Sequence, residues 1–154
     1  MKRKFIDFIL PAVLIEKDKI QKAYNYVLDN FNDLNLNDET ALLYEYCNCE
    51  TAYELLLCFT EQPTSIIIAQ AAIESGWGTS RFFLEGFNLF GIHSYGNNSQ
   101  TLKAQNSSRV HVKKYNNISE SISHYLRTLA RVGAYSEFRQ QRANSKDVKH
   151  IINY

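Results

Sequence analysis

The residues best suited to chemistry in this 154-residue chain lie in Glu74-Ser75-Gly76-Trp77-Gly78. Glu74 ends an almost wholly apolar run of Ile66, Ile67, Ile68, Ala69, Ala71, Ala72 and Ile73. Apolar surroundings disfavour a charged carboxylate, and so does the partial negative charge at a helix C-terminus. A carboxylic acid that keeps its proton near neutral pH can donate it to a leaving oxygen, the general-acid step of glycoside hydrolysis. Gly76 and Gly78 let backbone and substrate approach closely. Trp77 offers a ring that packs under such a site or supports a sugar. The structural alternative for Glu74 is a plain helix-end carboxylate, exposed or paired with Arg81.

Other chemistries find less support. His93, His111, His124 and His150 lack the i,i+4 spacing of a helical zinc site. The three cysteines, Cys47, Cys49 and Cys58, are an odd number, so they cannot form a complete disulfide framework. Cys47 and Cys49 are too close in sequence for an ordinary bridge, and no second pair suggests zinc. Cys58 lies in an apolar helical run and reads as a small core residue. No metal and no cofactor are expected. The formal net charge of +1 offers no global field for nucleic acid. Residues 86–119 contain no Asp or Glu but hold Lys103, Arg109, Lys113 and Lys114, so this lobe is either locally positive, suiting an anionic polymer, or a solvated loop.

The elements that must position Glu74 read mainly as helices. Hydrophobic residues make up 45% and charged residues 21% of the chain, which fits a folded single domain over 1–154. The basic start followed by Phe5-Ile6-Asp7-Phe8-Ile9-Leu10 imitates a signal peptide. Asp7 and Pro11 interrupt it, however, and no small-residue cleavage site follows. It reads as the first helix, too short in apolar length to span a membrane. An amphipathic helix is expected after Pro11, through Phe31. Asp38 is placed to cap a helix to Tyr46, another runs from Thr51 to Thr60, and Pro63 opens the central apolar helix, Ser65 to Ser75. That helix is apolar nearly all round, so it is expected at the domain centre. Thr79 or Ser80 caps a short helix through Glu85.

Residues 86–116 change to Gly, Asn and Ser with a strand-like alternation over 109–115, predicting a small polar β lobe. Asn117-Ile118-Ser119-Glu120 reads as a capping box for a helix to Arg131. Gly133 breaks it, and two more helices follow over 135–142 and 146–152. The chain stops inside an apparent helix, as an excised domain would.

Ala69-Gln-Ala-Ala-Ile-Glu-Ser-Gly-Trp-Gly-Thr-Ser-Arg81, Asn88-Leu-Phe-Gly-Ile92, the stretch from Tyr115 to Tyr125 and Gly133-Ala-Tyr-Ser-Glu-Phe-Arg139 together resemble the glucosaminidase family of bacterial peptidoglycan hydrolases, glycoside hydrolase family seventy-three. Phe5-x-x-Phe-Ile-Leu-Pro11 and Arg139-x-x-Arg-Ala143 resemble its Bax-type subgroup. The resemblance implies a mainly α (α+β), lysozyme-like domain. It implies an endo-β-N-acetylglucosaminidase that cuts the β-1,4 bond after N-acetylglucosamine, with Glu74 as general acid. The expected partner is the peptidoglycan glycan strand rather than nucleic acid, the expected state a monomer. The expected place is the periplasm or cell surface, although no export signal is evident.

Trp77, Asn88, Phe90, Tyr95 and Tyr115 are the substrate-binding candidates, with orientation of Glu74 or its loop as the alternative role for Asn88. Some family members are thought to use a second Glu in the β lobe, and residues 86–119 have none. Glu120 is the nearest carboxylate beyond them, but its capping position gives it a structural task. The alternative is substrate assistance, in which the 2-acetamido group attacks its own anomeric carbon. Tyr135, matching a cleft tyrosine of the family, would then steady the intermediate. A muramidase or lytic transglycosylase also uses one helix-end Glu, and a glycan-binding module that lost turnover would lack the second carboxylate.

Overall fold

The computed structural model describes residues 2–34, 38–95, 101–103 and 111–145, with the side chains of 38 and 39 excepted. Helix α1 runs Lys2–Asp29, α2 Asp38–Cys47, α3 Ala52–Phe59, α4 Thr64–Glu74 and α5 Arg81–Gly86. Strands β1 (His93–Ser94), β2 (Thr101–Lys103) and β3 (His111–Lys113) follow. Then come α6 (Ile118–Arg131), a single 3-10 turn over Gly133–Tyr135, and α7 (Ser136–Asn144). This is the mainly α architecture with a small β lobe that the sequence predicts. The expected Asp38 cap, Arg109 and the helix over 146–152 lie outside the described residues.

The chain divides into two compact units, residues 1–14 with 64–125 and residues 15–63 with 126–154. Both α1 and α6 contribute residues to each. In the first unit, α1 runs unbroken through Pro11 rather than starting after it. The proline removes one backbone hydrogen bond and crowds a carbonyl, at about 3 kcal/mol. Phe5, Ile9 and Val13 are buried along one stripe on both sides of it. At roughly 1.5–3 kcal/mol per buried large side chain, that packing outweighs the proline.

Helix α4 buries Ile66, Ile67, Ala71 and Ala72. Its opposite face is open: Ala69, Gln70, Ile73 and Glu74 are exposed, Ile73 at 75%. The helix is therefore half-buried and not central on all sides, as its composition suggested. The three strands form one antiparallel sheet in the order β1-β3-β2, with Val112 opposite both His93 and Leu102. Val112 is the buried residue of the middle strand.

In the second unit the core is Val27, Tyr44, Cys47, Leu55, Cys58, Phe59 and Ala130. Helix α3 opens on a reciprocal cap that the sequence reading missed. The Thr51 side chain accepts from the Glu54 N–H, while the Glu54 carboxylate accepts from the Thr51 N–H at 3.0 Å. The terminal arginines are structural. Arg139 donates to the carbonyls of Leu129 and Val132, both at 2.9 Å, and closes the end of α6. Arg142 is buried and donates to Leu57 and Cys58 carbonyls at the end of α3.

The cysteines are unbridged, as expected for Cys47 and Cys49, but they cluster as the sequence did not suggest. All three thiols are free, and their sulfurs lie within 4.8 Å of one another. Sequence spacing alone shows no ligand cluster, because Cys58 joins the other two only through the packing of α3. Among the described residues, no single helix is long and apolar enough to cross a membrane.

Candidate active site

Glu74 is the last residue of α4, and the chain turns directly after it. Gly76, Trp77 and Gly78 all take positive φ, at 58°, 58° and 79°. Glycine adopts this conformation freely, but for an L-residue such as Trp77 it costs about 1–2 kcal/mol. Ser75 holds the turn closed. Its hydroxyl donates to the Ala71 carbonyl at 2.6 Å and accepts from the Gly78 N–H at 3.0 Å, and its carbonyl accepts from Ser80. The Trp77 ring meets Phe5 edge-on at 5.9 Å and lies under the Lys2 ammonium. Trp77 thus packs the turn against α1 and is half-buried. Ser80 caps α5 by accepting from the Phe83 N–H, and the left-handed Phe87 ends that helix.

The loop after α5 passes beside the acid. A Cβ placed on Gly91, whose φ is +63°, would lie 3.2 Å from Glu74 Oε2. Asn88 shapes this loop from within. Its amide donates to the Ile92 carbonyl at 3.0 Å and the Lys113 carbonyl at 2.8 Å, and its oxygen accepts from the Ile92 N–H at 3.1 Å. The Leu89 N–H donates to Ser121 Oγ, and the Lys113 N–H to the Ile92 carbonyl. The result is a strap from α5 to β1, hydrogen-bonded to β3, that carries a residue without a side chain past Glu74.

Beneath the open face of α4, the Phe90 ring stacks on Tyr125 at 4.1 Å, and the Tyr125 hydroxyl donates to Gln70. Tyr115 bonds His124 Nδ1 at 2.6 Å, and burial pushes its phenol above the usual range.

Three of the candidates for substrate contact lie inside the first unit. Asn88, Phe90 and Tyr115 are all buried, and the Asn88 amide is committed to backbone. Asn88 thus has the loop-orienting role that its position in the sequence also allows. Tyr95 is 91% exposed and stands open to a ligand. Glu74 itself is exposed and is not enclosed by its apolar run. Arg81 goes elsewhere, to Glu85 at 3.4 Å and to the Lys103 carbonyl.

Glu120 caps α6. Its carboxylate accepts from the Asn116 N–H at 2.9 Å and from the Asn116 amide, while Asn117 Oδ1 accepts from the Glu120 N–H. The Asn117 half of the predicted box is therefore present, while the carboxylate returns to the Asn116 N–H instead of that of Asn117. The Asn116 backbone hydrogen bond, with that of its amide, holds the Glu120 carboxyl below its ordinary value. Tyr135 belongs to the second unit. It closes the 3-10 turn with its N–H on the Val132 carbonyl, and is 38% exposed.

A family model for glucosaminidase, described as mannosyl-glycoprotein endo-β-N-acetylglucosaminidase, matches residues 50–154. The protein bax of Escherichia coli (strain K12) is 35% identical over 81 residues, which span 53% of this chain and 28% of that protein. The solved catalytic domain of the autolysin Auto from Listeria monocytogenes is 23% identical, with a TM-score of 0.48 over 81% of this chain and 77% of that one. With more than half of its residues under the family model, including all of α4, the Gly-Trp-Gly turn and the Gly91 strap, the chain belongs to the glucosaminidase family of glycoside hydrolases.

Proposed function

We propose that this chain is an endo-β-N-acetylglucosaminidase that cuts the β-1,4 bond after N-acetylglucosamine in peptidoglycan, with Glu74 as general acid. The observation that carries the reading is an exposed carboxyl at the end of α4, held against the side-chain-free Gly91. A glycosidic oxygen can approach it without a steric wall, and the adjoining exposed Ile73 gives a sugar face an apolar contact. Bound glycan excludes water from this face. Action on peptidoglycan places the chain outside the cytoplasm.

The proton leaves the Glu74 carboxyl for the glycosidic oxygen as the bond to the anomeric carbon breaks. The partner on the other side of that carbon is the substrate's own 2-acetamido oxygen, with the Tyr135 hydroxyl donating a hydrogen bond to the acetamido group. Two observations support this choice. No Asp or Glu occurs in residues 86–119, and the Glu120 carboxylate is engaged in its cap.

The test is Glu74→Gln, assayed by zymography on peptidoglycan and by identifying the new reducing ends. Wild type should release N-acetylglucosamine reducing ends, and the folded variant should release none. Near-normal lysis by that variant refutes the acid assignment. Muramic acid or anhydro ends point to the muramidase or transglycosylase reading instead.

A further inference from the structure

We propose that Cys47, Cys49 and Cys58 form a three-sulfur site for a soft, thiophilic cation, zinc(II) or copper(I). The site is assembled by local chain geometry before any metal arrives. Helix α2 ends in a Schellman motif: Asn48 takes φ 53°, the Cys49 N–H donates to the Tyr44 carbonyl, and the Asn48 N–H donates to the Glu45 carbonyl. One left-handed residue between Cys47 and Cys49 turns the chain back on itself. Both thiols then face Cys58, which stands one residue before the end of α3.

The triangle has nearly the right size. Sulfurs no more than 4.8 Å apart lie at most about 2.8 Å from a common centre, so closing to a zinc–sulfur bond of about 2.3 Å moves each by about 0.5 Å or less. A disulfide needs two sulfurs and leaves the third idle, whereas all three converge here. The sulfur donors select the cation, since thiolates favour zinc and copper(I) over magnesium or calcium. Val27, Tyr44, Leu55 and Phe59 surround the group with apolar side chains. Cys49 is partly exposed and gives a route in. Each ligating thiol releases its proton to the buffer. Zinc would complete its coordination with one external ligand, and copper(I) is satisfied by three sulfurs. Bound metal would tie the end of α2 to α3.

The experiment uses the full chain, reduced and handled without oxygen. Cobalt(II) is titrated as a stand-in for zinc, and copper(I) against a chromophoric competitor. The expected result is one equivalent per chain, with sulfur-to-cobalt charge-transfer absorption and a higher melting temperature in the presence of zinc. If only copper(I) binds, the site is the three-coordinate kind; if cobalt and zinc bind, it is the four-coordinate kind. Cys49→Ser, at the partly exposed corner, should fold and should lose more than the roughly 10–100-fold in affinity that an outer-shell partner is worth. Cys49→His should restore part of it. No charge-transfer band and no copper(I) uptake overturns the proposal, as does binding that Cys49→Ser leaves unchanged in a chain that melts normally.

Discussion

Replacing Gly91 by alanine separates the position of the Glu74 carboxyl from the stability of the domain. Two costs follow from the structure. The φ of +63° is left-handed, which costs an L-residue about 1–2 kcal/mol. For a chain of this size that lowers the melting temperature by about 2–8 °C. The new Cβ would also lie 3.2 Å from Glu74 Oε2, where ordinary contact begins at 3.4 Å, so the carboxyl must give by a few tenths of an ångström. A 1 Å misplacement of a reacting group costs about 100-fold, so a few tenths should cost on the order of 3- to 10-fold in turnover. Gly76→Ala is the matched control. Its φ is +58°, and its Cβ would meet Thr79 Oγ1 at 3.2 Å instead of the carboxyl. Both variants should melt lower by similar amounts. Turnover on purified peptidoglycan, measured well below either melting transition, should fall further in Gly91→Ala. Equal turnover in the two, or an unchanged Gly91→Ala enzyme, would refute the placement of the acid against the strap.

Tyr135→Phe should cut turnover strongly while Glu120→Gln mainly lowers the melting temperature. Deep loss in Glu120→Gln with normal melting, or inversion at the anomeric carbon by product NMR, excludes substrate assistance. Asn88→Ala should destabilise by about 2–4 kcal/mol in urea unfolding, because it strands buried backbone groups at roughly 1–3 kcal/mol each. Thr51→Ala should cost about 1 kcal/mol at neutral pH through loss of the α3 cap. The Thr51 side chain, then the Glu50 and Thr51 backbone, hold the Glu54 carboxyl below its ordinary 4.5. Its contribution is therefore complete above that value and fades as pH falls through the lowered one. The gap between wild type and Thr51→Ala should narrow in acid, and a gap that widens there contradicts the cap.

Local hydrogen bonds made parts of this protein legible in its sequence. Ser80 as a cap, Pro63 ahead of α4, the break at Gly133 and the left-handed Gly76 and Gly78 depend on partners within a few residues, so residue type and spacing suffice. The resemblance of the Glu74 motif to a family also needed nothing but order along the chain. Tertiary structure decided the rest. Pro11 reads locally as a helix boundary, yet packing of Phe5, Ile9 and Val13 carries α1 through it. The sequence leaves Asn88 between a cleft role and a loop-orienting one, and only the fold brings it to a carbonyl 25 residues away and puts Tyr115 inside. Composition made α4 look enclosed on all sides, and only the packed structure reveals which side stays open around Glu74. The thiol triangle needs Cys58 folded back from α3 onto the end of α2. A side chain's burial is a sum over neighbours distant in sequence, and periodicity along one helix constrains which face is buried without naming what covers it.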